Sequence, residues 1–126
     1  MAGNFVNEDM LGSMEFACKV SGSKLILVLG HNNCGAIRAA VDNVKLGNIT
    51  PMLEKIKLAF DNVDYDGEKK SSNHEYMAMA CESNVNNTIA NIRKNSLILK
   101  EMEDKGEIKI VGGIYSLETG HVNWLN

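Results

Sequence analysis

Apolar and polar positions change their spacing several times along the chain, and each change predicts an element. Between Glu8 and Val20 the apolar residues fall at 10, 11, 14, 17, 18 and 20, the recurrence of a helix face. Leu25 to Leu29 is then an unbroken apolar run between Ser-Gly-Ser and Gly30. Such a run reads as a strand buried on both faces, as in parallel sheets. From Cys34 to Leu46 the helical spacing returns, and Gly47 stops it. Thr50-Pro51 predicts the next start, Thr as N-cap and Pro in the first turn, with the helix running to Val63. Residues 64–72 are a polar connection. Apolar residues at 77, 80, 81, 85, 89 and 92 predict a long helix over 73–95, and Ser96 opens a shorter one over 97–104, ended by Gly106. Residues 107–115 predict a second strand, and residues 121–125 a short third one after a turn.

Strands separated by helices predict an α/β fold with crossover connections. The pattern is nevertheless short of strands, with about three against four or five helices. A parallel strand such as Leu25–Leu29 needs hydrogen-bonding neighbours on both edges.

Composition narrows the class. The chain has 126 residues, 44% of them hydrophobic, as expected of one globular domain spanning residues 1–126. A net charge of −3 without a basic run argues against nucleic acid or an anionic membrane as partner. No apolar run approaches the roughly 20 residues of a membrane span, and the N-terminus lacks the features of a signal peptide. Three cysteines, Cys18, Cys34 and Cys81, do not make a disulfide framework, so a reducing cytoplasm is the expected location.

Candidate chemistry sits at the first strand-to-helix junction, Leu29-Gly30-His31-Asn32-Asn33-Cys34-Gly35-Ala36. Functional groups of α/β sheets collect at such junctions. An imidazole and a thiolate three residues apart can close on one Zn²⁺, with bonds of about 2.0 and 2.3 Å. The helix start favours the thiolate. Asn32 and Asn33 suit a tight turn, while Gly30 and Gly35 are candidate lining residues because they admit close approach of the backbone. Two donors fall short of the three or four that zinc needs, and a helix-capping loop with a buried cysteine satisfies the same spacing. Cys18 and Cys81, among apolar neighbours, read as core. His74 reads as a solvated residue at a helix start, His121 as an exposed strand-opening residue, and Gly112-Gly113 as a place of close packing.

Several stretches together resemble the β-class carbonic anhydrases. "KLILVLGHNNCGAIRAA" resembles the part of that family's zinc site in which a strand runs into His-x-x-Cys-Gly and a helix. "MAGN" matches the end of its Arg-x-Ala-Gly-Asn segment, and "GSMEFACKV" its Ser-Leu-Glu-Tyr-Ala helix. The stretch from Asn84 to Leu125 resembles its C-terminal part, except that Ser116 stands where the family usually has Asp. The resemblance implies His31 and Cys34 as zinc ligands, Zn²⁺ as cofactor and carbon dioxide and bicarbonate as substrates. It also implies a homodimer or larger homo-oligomer.

The resemblance equally points to what is missing. The family's first ligand lies in Cys-x-Asp-Ser-Arg, whose Asp and Arg form a catalytic dyad, and this sequence contains no such motif. The chain is thus expected to correspond to the C-terminal two-thirds of the family domain, truncated, without two strands, one of them central. No catalytic residue of that dyad is present. Reversible hydration of carbon dioxide is the implied activity. The alternatives are a non-catalytic oligomerising remnant with a partial or empty metal site, or a redox or zinc-storage role for the thiols. The first strand is expected to lack a partner along one edge, with residues 1–7 too few to cover it.

Overall fold

The structure is a computed structural model that describes residues 1–125. A 3₁₀ turn at Ala2–Asn4 leads to α1 (Glu8–Glu15), which Asn7 caps by accepting a hydrogen bond from the Met10 N–H at 3.0 Å. A π-helical turn, Phe16–Val20, extends α1 and completes the predicted segment. Strand β1 (Leu25–His31) follows, then α2 (Gly35–Val41), α3 (Ile49–Lys57), the long α4 (His74–Asn95), α5 (Leu97–Asp104), β2 (Lys109–Tyr115) and β3 (Val122–Trp124). Asn73 and Ser96 cap α4 and α5 by accepting from the N–H groups of Tyr76 and Leu99.

Two helices are shorter than their patterns predict. α2 ends at Val41, because the chain turns at Asp42 and Asn43 takes a left-handed conformation, φ +55°. Asn tolerates that conformation through local side-chain hydrogen bonding. α3 ends at Lys57 and is followed by turns. Thr50 is not its N-cap. It lies inside the helix, and its hydroxyl reaches back to accept from the Leu46 N–H at 2.8 Å.

The sheet order is β1-β2-β3. β1 and β2 are parallel, with Leu25 opposite Lys109 and His31 opposite Tyr115, and β3 is antiparallel to β2. Among the described residues no strand lies on the other side of β1, which is therefore an edge strand, as the shortage of strands predicts. Its hydrogen-bond phase follows from its two ends. The Lys109 N–H donates to the Lys24 carbonyl at 3.0 Å, and the Asn32 N–H donates to the Tyr115 carbonyl at 3.1 Å. Backbone groups alternate sides along a strand, so even-numbered residues of β1 bond to β2. Those of Leu25, Leu27, Leu29 and His31 face the open edge.

Burial alternates as well, which corrects the expectation of a strand buried on both faces. Ile26, Val28 and Gly30 are buried, whereas Leu25, Leu27 and Leu29 are 54, 41 and 37% exposed. The buried face packs on α4, where Val85, Ile89 and Ile92 join Ile26, Val28, Ile108 and Ile110 in one apolar cluster with Cys18. A second cluster unites α2, α3 and the first half of α4 around Ile37, Ile56, Phe60 and Tyr76, and holds both Cys34 and Cys81. Register places Val111, Tyr115, Val122 and Trp124 on the same side as Leu25, Leu27 and Leu29, and the exposure of the three leucines and of Trp124 shows that no helix among the described residues covers that side.

The N-terminal segment does more than its length suggests. The Asn4 side-chain amide donates to the Leu29 carbonyl at the open edge. Val6, Met10 and Met14 lie alongside Ile26–Leu29. The segment is fixed from behind by α4, where the Asn84 side-chain amide donates to the Gly3 carbonyl and the Thr88 hydroxyl to the Asn4 carbonyl at 2.8 Å.

Candidate metal centre

His31 is the last residue of β1, and Cys34 is the residue on which α2 begins, with φ −64° and ψ +118°. The turn between them depends on Asn33, at φ +55°. Asn32 ties that turn to the β2–β3 connection, its side-chain oxygen accepting from the Leu117 N–H at 2.8 Å. In that connection Ser116, at the position where an Asp was expected, accepts from the Thr119 N–H at 3.2 Å.

His31 Nδ1 lies 2.8 Å from the Asn32 carbonyl oxygen. A carbonyl only accepts, so Nδ1 carries the proton and Nε2 keeps the free lone pair. That is the tautomer a metal-ligating histidine adopts when a backbone carbonyl fixes its ring.

His31, Cys34, Gly30 and Gly35 line one cavity of about 260 Å³, together with Met1–Asn4, Cys81 and Asn84. Gly30 is needed for packing, since a Cβ there would come within 2.8 Å of Val85 Cγ2. Around Gly35 there is open space, so no contact within the chain requires glycine at that position. The buried Gly3 has φ +72°, and a side chain there would run into Ile56.

Cys81, read from its spacing as core alone, is part of this cavity. Its thiol donates to the His31 carbonyl at a sulfur–oxygen distance of 3.7 Å. Burial pushes this thiol up to about 11. The neighbouring Cys34 thiol adds to the rise, and a hydrogen bond from the Cys34 backbone N–H opposes it. Burial also raises the Cys18 thiol, against the pull of Lys24, in the other apolar cluster.

The Cys81 shift has a sign for stability. A thiol that holds its proton more tightly when folded stabilises the chain fully below the unfolded thiol's pKa of about 8.5. That contribution disappears as pH rises through the folded value. Metal-free protein is therefore expected to lose about 3 kcal/mol between pH 8.5 and 11. Urea midpoints across this range check it, and Cys81→Ala should flatten the slope. An equally steep slope in that variant would assign the loss to other groups.

Asn84 and Thr88 were not evident as site residues from spacing. Their only signal was polarity at positions where α4 is otherwise apolar, and both are buried. Asn84→Ala leaves the Gly3 carbonyl without its partner. It should cost about 1–3 kcal/mol and speed alkylation of Cys34 by freeing the Met1–Asn4 wall. Unchanged alkylation in a destabilised variant would show that this wall does not shield the thiol. His74 and His121 are both exposed and do not line this cavity.

Donors of the kinds that zinc accepts meet in this cavity. An imidazole with a free Nε2 and a cysteine share one cavity, which fits two of the positions. Among the described residues no group of three or more His, Cys, Asp or Glu side chains is placed to hold a metal ion. The chain by itself does not complete a zinc site.

The carbonic anhydrase family model matches residues 1–122. The chain belongs to the carbonic anhydrase family. It is 29% identical over 124 residues to carbonic anhydrase 2 of Mycobacterium tuberculosis, covering 94% of this chain and 57% of that protein. To the carbonic anhydrase of Mycolicibacterium smegmatis it is 29% identical, over 96% of this chain and 58% of that protein. Among solved structures, the Coccomyxa β-carbonic anhydrase in complex with acetazolamide superposes with a TM-score of 0.82. Its identity is 24%, over 98% of this chain and 58% of that one. A pair of tetrameric β-carbonic anhydrases from Sordaria macrospora gives a TM-score of 0.81 at 18% identity, covering 99% of this chain and 65% of that one. The fold of this member of the family is thus the β-carbonic anhydrase fold, and the chain spans little more than half the length of the curated relatives it matches. No helix among its described residues is long and apolar enough to cross a membrane.

Proposed function

We propose that this carbonic anhydrase chain serves reversible hydration of carbon dioxide to bicarbonate, with His31 Nε2 and the Cys34 thiolate as two ligands of a zinc ion whose remaining donors come from outside the chain. The observation that carries this reading is the shared cavity at the end of β1, with the His31 tautomer fixed by the Asn32 carbonyl. Zinc, when bound, supplies a water acidic enough to act as hydroxide near neutral pH. The chain's own part is to orient the imidazole and to wall the cavity with Gly3 and Asn4. The open edge of β1 and the exposed apolar side of the sheet support a dimer or larger assembly, and the free cysteines Cys18, Cys34 and Cys81 support a cytoplasmic setting.

Metal content and carbon dioxide hydration measured by stopped flow on the same sample test it. Zinc bound stoichiometrically, lost in both His31→Ala and Cys34→Ser, together with hydration activity, is the expected result. That no three such donors converge on one metal position among the described residues favours a second reading, a non-catalytic oligomerising remnant. An assembly that takes up no zinc and hydrates no carbon dioxide would establish that reading instead.

A further inference from the structure

Cys81 is a thiol lining the cavity to which the proposed activity gives no part. It stands in the first half of α4, and Cys34 stands where α2 begins. Both are buried, 6 and 8% exposed, and both belong to the same apolar cluster. The Cys81 thiol donates to the carbonyl of His31, three residues before Cys34, at a sulfur–oxygen distance of 3.7 Å. Both sulfurs also border the same cavity, which is large enough for a small oxidant to enter. Cys18 lies apart, in the cluster under β1, and is a built-in control.

We propose that Cys34 and Cys81 are a reversible dithiol–disulfide pair, oxidised within the cavity by a small hydroperoxide. One sulfur attacks the terminal peroxide oxygen. The O–O bond breaks, an alcohol or water leaves with a proton, and a sulfenic acid remains. The second sulfur attacks the first, the S–O bond breaks, and the hydroxyl departs as water with the second thiol's proton. In sum, two thiols and one hydroperoxide give one disulfide, one alcohol (or water) and one water, and two electrons pass from the sulfurs to the peroxide. The bond joins the start of α2 to the first half of α4, spanning residues 34 to 81. It also occupies the Cys34 sulfur, so metal binding and disulfide formation exclude each other. That consequence rests on Cys34 being a ligand, whereas the thiol chemistry does not.

The test treats the reduced, metal-free 126-residue chain with one to five equivalents of hydrogen peroxide, alkylates the remaining thiols, and maps peptides without reduction. The expected product links the Cys34 and Cys81 peptides, two hydrogens lighter than their sum and reversed by dithiothreitol, with Cys18 alkylated. Cys18→Ser should give the same link. Cys81→Ser should abolish it and carry Cys34 on to sulfinic acid. Alkylation or separate over-oxidation of Cys34 and Cys81 in protein whose circular dichroism stays native would overturn the pairing, as would a link through Cys18. Zinc uptake by the reduced and oxidised samples is read separately. A reduced chain that binds no zinc but forms the link removes the ligand reading and leaves the pair standing. An oxidised chain that binds zinc as well as the reduced one removes the mutual exclusion.

Discussion

Proline at Val28 severely destabilises the chain, whereas proline at the adjacent Leu27 leaves it stable but unable to associate along β1. The contrast follows from hydrogen-bond phase. Val28 is an even-numbered residue of β1 and its N–H points to β2, so proline there removes a ladder bond and strands a β2 carbonyl in the sheet interior. A loss of about 3 kcal/mol is expected, a large share of the 5–15 kcal/mol that holds a typical domain together. The Leu27 N–H points to the open edge, where no described strand accepts it, and edge positions tolerate proline. Circular dichroism and urea midpoints read the fold, and light scattering reads the assembly. Val28→Pro with native stability would show the phase to be the reverse. Leu27→Pro that is folded and still fully assembled would show that the β1 edge is not the contact.

Valine at Gly30 is the second severe change. Its Cβ would lie within 2.8 Å of Val85 Cγ2 and 3.1 Å of Ile114 Cδ1. Val85 is itself fully buried and also lies against Gly112, where a Cβ would come within 2.9 Å of Val85 Cγ1. It has little room to retreat. Overpacking of this kind costs about 1–3 kcal/mol, and because Gly30 directly precedes His31 the strain falls on the turn proposed to bind metal. Zinc affinity should therefore drop along with the urea midpoint. Gly35→Ala is the matched comparison. Its Cβ meets nothing, and alanine favours a helix over glycine by up to about 1 kcal/mol. If the two variants are equally stable, the contact between β1 and α4 is softer than the geometry implies.

The order of elements was legible because period and punctuation agreed. Asn73 and Ser96 cap where a polar residue precedes an apolar stripe, and the glycine at 106 closes α5 as its position suggests. Boundaries failed where a polar side chain had two options. Thr50 reads as a cap from its place before Pro51, yet its hydroxyl binds backwards to Leu46 and the helix begins earlier. Asp42 and Asn43 look compatible with the α2 stripe but turn the chain. The Leu25–Leu29 run could not disclose which face would be covered, since covering depends on helices distant in sequence. The site was legible in part for the same reason. His31 and Cys34 are three residues apart and announce themselves. Cys81 and Asn84 reach the cavity only through the packing of α4, 47 or more residues later, and their spacing is that of ordinary core positions.

The helix-free side of the sheet carries the sole tryptophan of the chain, Trp124, 60% exposed in β3. It shares that side with Leu25, Leu27 and Leu29 and with no other indole, so its fluorescence is an optical gauge of that side alone. Emission from the isolated chain belongs at the long wavelengths of a water-exposed indole. A shift to shorter wavelength on raising the concentration would register occupation of that side directly, without any label.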